Sequence, residues 1–169
     1  MYFADRAMEV MVVLGSCVSV TLFHRRLGLS AVSHGLLPYC KERITCGGRC
    51  AGSAKFVECS VRAMTDRFKQ AGVALHELEA RIYGGAEMFG AKSSAGLTAS
   101  VGRQNVATAL KALKEQELRI HTMDVGGCLG RKLFFDTGTG EVFLKRIHQR
   151  AVSIDVPVDA ATFEKRRFL

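Results

Sequence analysis

The chain has no tryptophan, two prolines in 169 residues, and aromatic side chains at only 8%. With so little proline and no tract of biased composition, no stretch reads as a long linker, and no fixed period marks a solenoid. No apolar run reaches the ~20 residues that a bilayer-spanning helix needs. The longest, Val10 to Phe23, is interrupted by Gly15 and Ser16. The N-terminus lacks a basic segment leading into an apolar stretch and a small-residue cleavage site. These absences predict a cytoplasmic protein with no direct membrane insertion. Acidic residues are also scarce, 16 against 24 Lys and Arg, for a formal charge of +8. That balance favours an acidic partner. The basic residues are not interleaved with aromatics in the manner of a single-strand platform, so nucleic acid is not the expected one.

What is present is apolar. At 48% hydrophobic residues the chain fits one domain, 1–169, with a sizeable core. Six cysteines without an export signal belong to a reducing compartment and read as thiols. Cys40, Cys46, Cys50 and Cys59 are separated by five, three and eight residues, which matches no zinc ribbon or finger. No metal and no cofactor is expected.

Residues 7–14 and 17–23 read as two β-branched strands meeting at Gly15-Ser16, and Leu29 to Leu37 as a third that stops at Pro38. Tyr39–Ser53 has glycines, cysteines and charges but no period, and reads as a loop. Val57, Val61, Met64 and Phe68 then give one apolar stripe on a helix that Gly72 ends. Leu78–Ile82 alternates as a strand running into Gly84-Gly85, and Glu87–Thr98 reads as a loop. Val106, Leu110 and Leu113 mark a second helix, from about Arg103 to Glu117. Arg119–Val125 is a strand, and Lys132–Asp136 and Glu141–Ile147 flank Thr137–Gly140 as a hairpin. Strands outnumber helices and arrive largely as neighbours, which predicts an α+β layer fold: a mixed or antiparallel sheet with two amphipathic helices packed on it.

The chemistry concentrates at Leu14-Gly-Ser-Cys17. A glycine and a serine before the cysteine give the backbone room to turn, so the thiol can stand at a strand entrance with nearby N–H groups facing a substrate carbonyl. Cys17, Ser19 and Thr21 then share one strand face. His34 is the histidine on an apolar strand that can return beside Cys17, and a neighbouring imidazole can bring a thiol from pKa ~8.5 to roughly 3.5–7.5. The competing reading is a plain core cysteine, since free cysteine is among the most buried residue types. His24, beside Arg25-Arg26 at a turn, and His76, His121 and His148 read as surface residues.

Leu14-Gly-Ser-Cys-Val18 and His34-Gly-Leu-Leu-Pro38 resemble the signature of the CheD family of chemoreceptor glutamine deamidases. The likeness continues in register through Lys55-Phe56-Val57, Arg81-Ile-Tyr-Gly-Gly-Ala86, Val101-Gly-Arg-Gln-Asn105, Asp124-Val-Gly-Gly127 with Gly130-Arg131, and Gly140-Glu-Val with Lys145. It covers about 10–147 and leaves 148–169 as a C-terminal extension.

The resemblance implies a fold similar to the cytotoxic necrotizing factor-like cysteine hydrolases, and hydrolysis of glutamine side chains on methyl-accepting chemotaxis proteins. It implies Cys17 as nucleophile, His34 as general base and acid, and backbone N–H groups near Ser16 and Cys17 as the oxyanion site. A CheC-like phosphatase of phosphorylated CheY is the implied protein partner. Four positions depart from the family. Met11 stands where a threonine orients the histidine, which leaves Ser33, Thr21 and Ser19 as candidates for that task. His24 replaces an aspartate, and Ser30-Ala31 replaces a glycine pair. A binding module that keeps the fold with weakened catalysis is the alternative expectation.

Overall fold

The computed structural model describes residues 1–40, 53–87 and 100–147. In chain order the strands are β1 (Tyr2–Ala4), β2 (Glu9–Leu14), β3 (Val18–His24), β4 (Leu29–Val32), β5 (Glu79–Gly84), β6 (Ile120–Val125), β7 (Gly130–Asp136) and β8 (Val142–Ile147). Helix α1 (Val57–Gln70) lies between β4 and β5, and α2 (Val101–Glu115) between β5 and β6. Five strands form a mixed sheet in the order β1-β4-β3-β5-β6, and three form an antiparallel sheet in the order β2-β7-β8. Among the described strands only β5 and β6 pair in parallel, with α2 in the crossover between them. The expected α+β layering is what the chain adopts.

The central strand explains the layers. All of β3 is buried, although its residues alternate apolar and polar from Val18 to Leu22. Val18, Val20 and Leu22 join Ala80 and Ile82 of β5 in a core closed by Val57, Val61, Met64 and Phe68 of α1 and by Ala109, Ala112 and Leu113 of α2. On the opposite face Val32 and Tyr83 pack against Val10, Val12, Leu14, Leu133 and Phe135 of the small sheet. Burial on both faces removes edge and solvent from β3. It also encloses the hydroxyls of Ser19 and Thr21.

Several boundaries differ from the sequence reading. The third strand ends at Val32, because at Ser33 the side chain intrudes on the ladder. The short β1 pairs with β4 and carries too few residues to show a period. In α2 the sheet-facing stripe is Gly102, Asn105, Ala109, Ala112 and Leu113, so small residues rather than Val106 and Leu110 make the closest approach. The expected hairpin forms, with Gly140 at φ +73° and packed so closely on Phe23 that a Cβ would fall 2.4 Å from its ring. His24 is buried rather than superficial, while His76 and His121 are exposed. Residues 41–52, 88–99 and 148–169, which hold most of the two expected loops and the C-terminal extension, lie outside the described residues.

Candidate active site

The chain leaves the small sheet at Leu14 and enters the large one at Val18, so Gly15-Ser16-Cys17 is the link between the two. Each carbonyl of this link is held. Gly15 O accepts from Ala86 N–H at 2.8 Å, Ser16 O from Asn105 Nδ2 at 2.9 Å, and Cys17 O from Gly85 N–H at 2.8 Å. Among the described residues the N–H groups of Ser16 and Cys17 donate to no backbone carbonyl. The backbone that carries these two N–H groups is therefore fixed through its carbonyls.

Glycine makes this clamp possible. Gly84 has φ +107°, and a Cβ there would lie 2.2 Å from Cys17 O. At Gly85, φ is +69° and a Cβ would meet Val106 Cγ2 at 2.3 Å and Gly102 O at 3.0 Å. Gly102 in turn lets α2 approach, since its Cβ would lie 2.7 Å from Gly85 O. The sequence pairs Gly84-Gly85 and Gly102–Asn105 therefore serve the cysteine link.

Cys17 is partly exposed, and its side chain packs on the inter-sheet core. Burial pushes its thiol above the usual cysteine range, with its own backbone N–H opposing. Val18 and Gly35 exchange both backbone hydrogen bonds, at 2.9 and 2.8 Å, and Ser33 N–H donates to Val20 O at 2.9 Å. These pairs bracket His34 and set it opposite Ser19. Since faces alternate, His34 shares the inter-sheet face with Ser19 and is the diagonal neighbour of Cys17, a separation long side chains can span. His34 is half-buried. Gly35 is required by α1, because a Cβ would sit 2.5 Å from Val57 Cγ2.

The three candidates for orienting the imidazole fare differently. Ser33 Oγ is spent on the ladder, accepting from Val20 N–H at 3.1 Å and donating to Val20 O at 3.3 Å. Ser19 and Thr21 are buried hydroxyls that make no hydrogen bond among the described residues. Met11 lies on the other side of β2 from Val10, Val12 and Leu14, whose side chains face the core. A side chain at 11 therefore points away from the space between the sheets.

Two site-supporting features carried no assigned role at the level of sequence. Asn105 is fully buried in the middle of the small-residue stripe of α2, and its Nδ2 also donates to Leu36 O at 3.0 Å. Arg131 is buried too, bonded to Asp124 Oδ1 at 2.8 Å, Gly126 O at 2.8 Å and Leu129 O at 3.3 Å. It ties the β6–β7 connection together beside the loop that holds Cys17, where Glu87 N–H reaches Gly127 O at 2.8 Å. A polar residue on an apolar helix stripe was the available signal for Asn105.

A cleft of about 610 Å³ lined by Arg81, Tyr83, Thr122, Phe134 and Phe143 includes neither Cys17 nor His34. Among the described residues no three His, Cys, Asp or Glu side chains gather as metal ligands, and Cys46 and Cys50 fall outside them. No helix in the described residues is long and apolar enough to cross a membrane.

Comparison with known proteins gives the arrangement a context. A family model described as CheD chemotactic sensory transduction matches residues 36–146, the part holding Asn105 and Arg131 and starting just past His34. A probable chemoreceptor glutamine deamidase CheD 2 of Geobacter sulfurreducens is 38% identical over 148 residues, covering 88% of this chain and 86% of the relative. One from Oleidesulfovibrio alaskensis is 38% identical over 86% of this chain and 68% of the relative. An archaeal relative named in the same way, from Thermococcus kodakarensis, is 35% identical over 79% of this chain and 80% of the relative. Sequence motifs, family match and relatives agree that this chain belongs to the CheD family.

Proposed function

We propose that this chain is a cysteine-dependent protein-glutamine deamidase that converts glutamine side chains of chemoreceptors to glutamate. The observation that carries the reading is the Gly15-Ser16-Cys17 link, with its carbonyls tied back and the N–H groups of Ser16 and Cys17 bonded to no backbone carbonyl among the described residues, in a chain whose relatives are named chemoreceptor glutamine deamidases. His34 takes the Cys17 proton, and the thiolate adds to the glutamine Cδ. The N–H groups of Ser16 and Cys17 hold the oxyanion. The C–N bond then breaks as the imidazolium gives its proton to the departing ammonia, leaving a thioester. Water, deprotonated by His34, adds to the thioester; the C–S bond breaks, glutamate is released, and the imidazolium returns its proton to the Cys17 sulfur. No metal or organic cofactor enters these steps. Ser19, buried opposite His34 with an unspent hydroxyl, is our choice for the group that orients the imidazole. By family resemblance, a CheC-like phosphatase is the proposed protein partner.

The test combines turnover with thiol titration. Incubating a receptor cytoplasmic domain with the protein should release ammonia and add about 1 Da to particular glutamines, the change of –NH₂ to –OH. Cys17→Ala should abolish both. Because burial raises the Cys17 thiol, thiolate forms near neutral pH only if the imidazole counters that rise. His34→Ala should therefore move the alkylation midpoint of Cys17 upward in pH. An unchanged midpoint would rule out the dyad.

The same upward push on Cys17 favours one alternative, a binding module with weakened catalysis. It predicts receptor binding without ammonia release. If Ser19 orients the imidazole, Met11→Thr should change nothing and Ser19→Ala should slow turnover.

A further inference from the structure

Beyond the end of β4 at Val32, the segment that carries His34 stays against β3 through Ser33 and Gly35, and the pairing ends there. Val18 and Gly35 exchange both hydrogen bonds. In an antiparallel ladder the next such pair is two residues on, which would be Ser16 with Leu37. That pair does not form. Leu37 N–H goes to Lys55 O at 3.2 Å, and Leu37 O accepts from Val57 N–H at 2.8 Å. The freed Ser16 carbonyl is taken by Asn105 Nδ2, whose second hydrogen goes to Leu36 O. One amide nitrogen thus stands in the fork between the segment bearing Cys17 and the segment bearing His34.

The chemistry of the fork selects asparagine. Two carbonyls converge there, so the group between them must supply two donors from one short side chain. Serine supplies one, aspartate supplies none and repels both, and glutamine places its donors one methylene further from the helix. The amide is fully buried, and its Oδ1 makes no hydrogen bond among the described residues. The side chain therefore forgoes one of its own interactions and is held by the two donor contacts. Gly102, one turn earlier, brings α2 close enough for this reach.

We propose that Asn105 is a positioning residue: by bridging Ser16 O and Leu36 O it fixes the spacing of Cys17 and His34 and keeps the Ser16 N–H out of the ladder. The proposal rests on the deamidase reading, and its central measurement is independent of turnover. The pH profile of Cys17 alkylation is followed by mass spectrometry in the full chain and in Asn105→Asp and Asn105→Ser, beside His34→Ala. Exposed Cys128 serves as the reactivity control and buried Cys59 as the folding control.

The expected result is a Cys17 profile moved toward that of His34→Ala, with Cys128 unchanged and Cys59 still protected. The displacement should be larger for Asp than for Ser. With receptor as substrate, kcat should fall on the order of 10²-fold, the loss that a misplacement of about 1 Å can cause, with KM little altered. A variant that protects Cys59 yet keeps the parent pH profile and kcat overturns the proposal. If Asn105→Asp exposes Cys59, the smaller Asn105→Ser decides on the same readout, and a parent-like profile there also overturns it. Ammonia release that survives Cys17→Ala would defeat the deamidase reading instead, while the alkylation profiles would still judge Asn105.

Discussion

At the end of β3, where the family resemblance implies an aspartate, the chain has His24, and its surroundings give the imidazole a structural role. Nδ1 accepts the Leu27 N–H at 3.1 Å across the β3–β4 turn, and Nε2 lies 3.4 Å from Glu77 Oε2. A turn carboxylate would accept the same kind of backbone N–H, so the imidazole closes the turn in its place. Glu77 is held below the usual carboxylate range, first by the His24 hydrogen bond and then by Arg26. A depressed carboxylate adds stability above its unfolded pKa and loses it as pH falls through the folded one. His24→Leu should cost about 0.5–1.5 kcal/mol through the lost hydrogen bond from Leu27 N–H, while His24→Asn, which can accept from Leu27, should cost less. Urea denaturation at neutral pH compares the two. The sequence placed this histidine on the surface because its neighbours Arg25 and Arg26 are charged; those guanidinium groups do reach solvent, and the ring between them and β3 does not.

Among the elements, α2 has the closest tolerances. Its first turn is capped by Ser100, whose Oγ accepts from Arg103 N–H at 3.3 Å, and Arg103 pairs with Glu87. Gly102 then touches the carbonyls of Gly85 and Ala86, where a Cβ would fall at 2.7 and 2.8 Å. Gly102→Ala should push the helix off the Gly85-Ala86 loop, which is bonded to Cys17 O and Gly15 O. Turnover should fall by at least ~10-fold, and the melting temperature should drop by several degrees, as expected for a loss of about 1–3 kcal/mol from overpacking. Calorimetry and ammonia release on the same preparation check both. The apolar period of α1 was legible because large residues face the core at Val57, Val61, Met64 and Phe68. That of α2 was legible in part: Val106, Leu110 and Leu113 do pack at the core, while Gly102, Asn105, Ala109 and Ala112, which complete the buried stripe, carry little hydrophobic signal. The end of β4 was hidden for a related reason: only the fold shows that Ser33 Oγ takes the place of a ladder partner.

For the whole molecule, the formal charge of +8 sets how it meets partners. With an acidic receptor surface as substrate, association should be fastest at low salt and slow as the Debye length shortens to about 8 Å near physiological ionic strength. Stopped-flow binding across a salt series should show the on-rate falling while the off-rate changes less. Motif order was enough to identify the family, the nucleophile candidate and the layer type. The way the two sheets share one short link depended on long-range pairing, such as β2 with β7 over more than a hundred residues, which no local pattern encodes.

That link has a consequence for lifetime. Cys17 belongs to neither sheet alone: Leu14 anchors it to the three-stranded sheet, Val18 to the five-stranded one. Any opening that frees either anchor also frees Cys17, so the working life of the proposed site is set by the weaker of the two sheets. The smaller sheet has no helix against it within the described residues and leaves Val13 and Phe143 in solvent. Loss of activity on ageing or warming should therefore begin there, while both helices and the large sheet still hold.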